Sequence, residues 1–156
     1  MTNVEINITR LSGDWSKSIT GYKRKIEKWC MAAIAKNTSL KKKDVSLSVV
    51  LADDHFVHDL NHTYRGKNKP TNVLSFKGEG QELGDIILAY ETVKKEAKAQ
   101  GKSFTAHTAH LVVHGVLHVF GHDHENEKEA KVMEKEEVAI LAKLGFTSPY
   151  ANEVTK

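Results

Sequence analysis

The stretch from His110 to His124, His-Leu-Val-Val-His-Gly-Val-Leu-His-Val-Phe-Gly-His-Asp-His, constrains this chain more than any other. His114 and His118 are four residues apart. On a helix that spacing puts them on one face, about 6 Å apart along the axis and about 40° apart in rotation, close enough to converge on one ion. The residues between them, Gly115, Val116 and Leu117, suit a helix packed into a core. Gly121 suits the left-handed residue that ends a helix and turns the chain back. His124 is then near enough to supply a third nitrogen. His122 could compete for that place, and His124 is the expected ligand.

Burying several neutral imidazoles in so short a span is costly without a shared partner, and a cation supplies one. His107 and His110, taken singly, read as hydrogen-bonded core residues. Three protein nitrogens leave one position of a tetrahedral ion open. On zinc that position holds water whose pKa falls to about 7, a nucleophile at neutral pH. The spacing His, x, x, x, His, x, x, Gly, x, x, His matches the long zinc motif of metzincin peptidases. Where those enzymes carry a glutamate after the first histidine, this chain has Gly115. The expected metal cage therefore lacks the peptidase's acid/base group, and a different hydrolysis is indicated.

The 156 residues suffice for one domain with a real core, so residues 1–156 are read as a single domain. With 40% hydrophobic and 28% charged residues the composition is ordinary for a soluble globular protein. The opening Met1 to Thr9 alternates apolar and polar residues, which predicts a strand and not a signal peptide. No apolar stretch is long enough for a membrane span. The lone Cys30, among Trp29, Met31 and Ala32, reads as a packed thiol in a reducing cytoplasm.

Ile19, Tyr22, Ile26, Trp29 and Ala33 recur at spacings of three and four and predict a helix ending near Asn37. Lys41 to Lys43 form a basic turn. Val45, Leu47, Val49 and Leu51 then alternate with residues apolar enough to predict a central strand. Asp53 or Asp54 can cap the next helix, whose His55, His58 and His62 read as surface residues. Val73 to Phe76 and Leu83 to Ala89 read as strands, Glu91 to Gln100 as a charged helix, and Ser103 or Thr105 as the cap of the histidine helix. A last helix carries Ala130, Met133, Val138, Leu141 and Leu144 and stops at Gly145.

The net charge of +3 selects no partner, but its distribution is uneven. Arg65, Lys67, Lys69 and Lys77 cluster centrally, whereas Glu125, Glu127, Glu129, Glu134, Glu136 and Glu137 crowd the C-terminal part and read as a solvated face. Arg65 ends a helix beside a basic loop, where its planar guanidinium can bind a phosphate through two parallel hydrogen bonds. Beside a hydrolytic metal site, that arrangement points to phosphodiester chemistry.

Three segments, His114 to His124, Leu60-Asn61-x-x-Tyr64-Arg65-Gly66 with Pro70 to Phe76, and Leu83-Gly84-Asp85-Ile86, together resemble the YbeY family of bacterial rRNA maturation factors. The resemblance covers roughly residues 45 to 145. It implies an α+β fold, a small mixed sheet with helices packed around it and a zincin-like metal-bearing helix, with one zinc ion on His114, His118 and His124, and a single-strand-specific endoribonuclease of the cytoplasm. The implied roles are 16S rRNA 3′-end maturation and ribosome quality control, with the ribosome or small-subunit assembly factors as partners. Arg65 matches the arginine that the family needs for activity. The expected catalytic residues are Arg65 and His114, and the expected substrate contacts are Arg65, Lys67, Lys69 and Asp85. Asp123 and Asp85 are candidates for the general base. Asn72 stands where the family usually has Asp, and His122 where Tyr is common. The rival classes are a metallopeptidase-like hydrolase, which Gly115 opposes, and a ribosome-associated binding protein with a structural zinc.

Overall fold

The computed structural model describes residues 3–35, 44–65, 71–121 and 126–150. Strand β1 (Val4–Arg10) leads into a short helix α1 (Trp15–Ser18), helix α2 (Tyr22–Ile34) and strand β2 (Val45–Ala52). Helix α3 (Asp54–Arg65), strands β3 (Val73–Lys77) and β4 (Glu82–Ala89), and helices α4 (Tyr90–Ala99), α5 (Phe104–Val119) and α6 (Glu127–Lys143) follow. The strands form one mixed sheet in the order β1-β2-β4-β3. β2 runs parallel to β1 and β4, and β3 pairs antiparallel with β4.

The expected α+β class and the central place of β2 both hold. Because side chains alternate along a strand, β2 feeds two packed layers. Leu47, Val49 and Leu51 join Ile86 and Leu88 in the larger core with α2 and α5. Ala52, with Ile87, Ala89 and Leu74, packs on Val57 of α3 across the opposite face. Arg10 ends β1, and Asp53 Oδ1 accepts from the Phe56 amide at the start of α3. Among the described residues, no helix is long and apolar enough to cross a membrane.

The first helical region differs from the sequence expectation. The periodicity predicted one helix from Ile19 to Asn37, but Ile19 is extended and Gly21 is left-handed, so α2 starts at Tyr22 and ends at Ile34. Ile19 and Ile26 are both buried nonetheless, since the apolar pattern records the face that is covered and not the continuity of the helix. Cys30 is fully buried, and burial, with Glu27 nearby, pushes its thiol up to about 12. The basic turn at Lys41 to Lys43 lies outside the described residues.

Helix α5 is the axis of the molecule. Ser103 caps it, its side chain accepting from the Ala106 amide at 3.0 Å. Leu111, Val112, Val113, Val116 and Leu117 are buried around it. Gly115 lies directly on the sheet: a Cβ there would come within 2.9 Å of Ile86 Cγ2 and 3.1 Å of Ser75 Oγ. The position after the first metal-motif histidine therefore faces strands β3 and β4. That close approach accounts for a glycine where the peptidase motif has glutamate.

Helix α6 is capped by Asn126, which accepts from the Glu129 amide at 2.8 Å. It buries Met133, Glu137, Ile140 and Leu141, a stripe at spacings of four, three and one. The acidic C-terminal stretch was expected to be a solvated face throughout. Glu137 departs from that expectation: it is fully buried and occupies a core position of the stripe.

Candidate metal centre

One face of α5 carries His107, His110, His114 and His118 in a row. Successive ring centroids are 6.2, 6.3 and 4.7 Å apart. The shortest step joins His114 and His118, whose planes cross at 70°, and their four-residue spacing puts them on one helix face. Beyond α5 the Gly121 amide bonds the His118 carbonyl at 2.9 Å, and Gly121 has φ 96°. The turn expected after the helix is thus present. His122, Asp123 and His124 lie outside the described residues.

Two members of the row, His110 and His114, are held by one carboxylate. Glu137 reaches from α6, and its Oε2 accepts from His114 Nδ1 at 2.5 Å. Its Oε1 accepts from His110 Nε2 at 2.9 Å and from the Tyr150 hydroxyl. Burial pushes the Glu137 carboxyl up, but the hydrogen bonds from His110 and His114 outweigh it, and the group is held at about 2. An ionised carboxylate only accepts, so the His114 proton sits on Nδ1. His114 Nε2 then carries its lone pair outward, the tautomer a metal requires.

Single ligand atoms of His110, His114 and Glu137 lie within 4.8 Å of one another, a group that can hold a metal ion. Glu137 was not expected here, and His110 was read alone as a core residue. Helical phase was the available signal, because Glu137 shares a stripe with Met133, Ile140 and Leu141, opposite a histidine-rich helix. Tyr150 offered no comparable signal.

The other expected site residues fall in different places. Arg65 is the last residue of α3, and its side chain, like Lys67 and Lys69, lies outside the described part. Asp85 is exposed on β4, paired with Ser48 and Phe76 in the strand register. Its neighbour Ile86 touches the α5 face at Gly115, so alternation turns Asp85 to the opposite face. There it lines a cavity of about 400 Å3 with Phe56, Phe76 and Ile87. The fold does not bring Asp85 to the histidine row.

Asn72 is near that row, although not as a ligand. Its Nδ2 donates to Glu96 Oε1 at 2.8 Å, and His107 Nε2 meets the same oxygen at 2.9 Å. Burial lowers the pKa of His107 despite this bond to Glu96.

Residues 12–145 match the family described as endoribonuclease YbeY. The chain belongs to the YbeY family. An endoribonuclease YbeY of Rhodopseudomonas palustris is 51% identical over 116 residues, covering 69% of this chain and 61% of that protein. A relative of the same name from Magnetococcus marinus is 49% identical over 122 residues, covering 68% and 83%. Another, from Chelativorans, is 54% identical over 114 residues, covering 68% and 70%. The matched stretch spans 61% and 64% of the length of two Rhodopseudomonas palustris YbeY relatives. The solution structure of TM1509 from Thermotoga maritima aligns over 97% of both chains, with a TM-score of 0.54 at 24% identity, a likeness of fold.

Proposed function

We propose that this chain, acting as one domain over residues 1–156, is a metal-dependent endoribonuclease that cuts single-stranded RNA in the cytoplasm. Its natural task is 16S rRNA 3′-end maturation and ribosome quality control, in contact with the small subunit or its assembly factors. The metal is one zinc ion, held by His114, His118 and His124. Support comes from the YbeY membership and above all from one observation: His114 is fixed by the buried Glu137 with Nε2 outward, beside His118 on the same helix face.

When bound, the zinc ion supplies Lewis-acid activation of water and of the phosphoryl oxygen. The chain's own residues set the geometry. Glu137 orients His114 and fixes its tautomer, and Gly115 lets α5 lie directly on the sheet. Arg65 stabilises charge developing on the phosphoryl oxygens, and Lys67 and Lys69 hold the neighbouring backbone phosphates. Asp85 contacts substrate away from the cut, on the other sheet face. A peptidase is disfavoured by Gly115, because a glutamate there would meet Ile86 and Ser75.

The test is incubation of zinc-replete protein with a labelled single-stranded RNA, beside a chelated control and His114→Ala. The expected result is cleavage by the replete protein alone. Intact RNA despite bound zinc would overturn the enzymatic reading in favour of a binding protein.

A further inference from the structure

The imidazole row of α5 runs past the metal centre into a second compartment. A cavity of about 310 Å3 has His114 at one end and Asn72, Glu96, Lys102 and His107 further along. Its size is at the lower end of the range for small-ligand sites, about 300–1,000 Å3. Val73, Leu111 and Pro149 give it apolar walls, and Tyr150 adds a second aromatic ring type beside the imidazoles. A single-stranded RNA base needs such a place, since sequence-specific proteins splay bases out, stack them on aromatic side chains and read their Watson–Crick edges. His107 is seven residues from His114, about 10 Å along the helix, so a ligand filling this space lies about one nucleotide from the metal centre.

The polar groups in the wall select among bases. Glu96 is clamped, since Asn72 Nδ2 and His107 Nε2 both meet its Oε1, at 2.8 and 2.9 Å. Among the described residues, no hydrogen bond engages its Oε2. A carboxylate is an acceptor without a donor, and Asn72, having given its amide to Glu96, has its carbonyl oxygen left to accept. Lys102 lines the same cavity as a cationic donor. Guanine alone among the four bases places two adjacent N–H donors, N1 and N2, next to an acceptor, O6. Adenine and cytosine each offer one amine beside an unprotonated ring nitrogen that a carboxylate repels, and uracil offers a single N–H.

We propose that this cavity takes the guanine of a nucleotide adjoining the scissile phosphate, with Glu96 Oε2 accepting from N1–H and N2–H and Lys102 donating to O6. The proposal rests on the endoribonuclease reading above and gives that site a base preference. Its direct test is binding of guanosine, inosine, adenosine, cytidine and uridine to the zinc-replete full chain, followed by amide and imidazole NMR shifts. Free nucleosides avoid a phosphate that would seek the metal. Guanosine is expected to bind best and inosine, which lacks the 2-amine, more weakly. Glu96→Gln keeps an oxygen for Asn72 and His107 but turns the reading atom into a donor. It is expected to weaken guanosine by about tenfold or more, the worth of a charge-assisted hydrogen bond, and adenosine hardly at all. Lys102→Ala is expected to weaken guanosine and inosine alike.

A second arm maps the cut ends of a random single-stranded RNA. Guanine is expected to be enriched at one position beside the cut, and the enrichment to flatten in Glu96→Gln. Equal binding of all nucleosides, or an unchanged cut pattern in a folded Glu96→Gln protein, would overturn the guanine pocket. Guanosine bound through Glu96 by a protein that cuts no RNA would support the pocket and count against the endoribonuclease reading alone.

Discussion

Replacing Glu137 by glutamine should weaken both the fold and the metal site. The substitution keeps volume and one acceptor oxygen, but puts an amide donor where a carboxylate oxygen now faces an imidazole. If the remaining oxygen stays with His110 and Tyr150, the new NH2 confronts His114 Nδ1. His114 then either leaves a buried donor unpaired or moves its proton to Nε2, which removes the lone pair meant for the ion. A lost hydrogen bond to a charged group costs about 1.5–3 kcal/mol. The depression of the Glu137 carboxyl from 4.5 to about 2 leads to a similar figure, about 3 kcal/mol for a fully buried group. The metal-free variant should therefore melt roughly 6–12 °C below the native chain. Zinc affinity should fall about 10- to 100-fold, as when other outer carboxylates of histidine ligands are removed. Competition against a chromophoric chelator, with thermal unfolding of the metal-free protein alongside, reads both quantities. A folded Glu137→Gln protein that binds zinc within twofold of the native chain would refute the assignment of Glu137 as the group that orients His114.

Acid should weaken the metal-free fold in two ranges. The folded pKa of His107 lies below its ordinary 6.5, so the unfolded chain takes that proton first and stability drops as pH falls through 6.5. Glu137 is depressed from 4.5 to about 2, so its contribution is whole above about 4.5 and is lost between there and about 2. Urea titrations across pH should show both ranges, with the lower one missing in Glu137→Gln. Gly115→Ala should destabilise the chain by about 1–3 kcal/mol, because its methyl would overlap Ile86; an unchanged urea midpoint would show that α5 can lift off the sheet at no cost. Arg65→Ala should abolish RNA cleavage while zinc content stays the same, and undiminished cleavage would remove Arg65 from the reaction.

Features that depend on local spacing were legible in the sequence. The pairing of His114 with His118, the cap at Ser103, the turn at Gly121 and the interior place of β2 each follow from a few neighbouring residues. Features that depend on a distant partner were not. Glu137 sits among Glu127, Glu129, Glu134 and Glu136, and composition alone makes it one more exposed acid. Only the docking of α6 on α5, with two imidazoles waiting there, makes its burial affordable. Asp85 shows the converse, since its motif travels with the metal motif along the chain, yet strand alternation puts it on the other side of the sheet. The break at Gly21 was missed because apolar periodicity carries across a turn when both segments cover the same core.

The bond between Glu137 and His114 also sets an order of events. The imidazoles of α5 are made before Glu137, the carboxylate that holds His110 and His114, which arrives with α6. A nascent chain that has emerged only as far as Asn126 already carries these histidines, but His114 has not yet been locked in the tautomer that turns Nε2 outward. With the proposed zinc site, metal capture becomes a late step of maturation, and a chain cut short within α6 would carry the motif intact while holding the ion weakly.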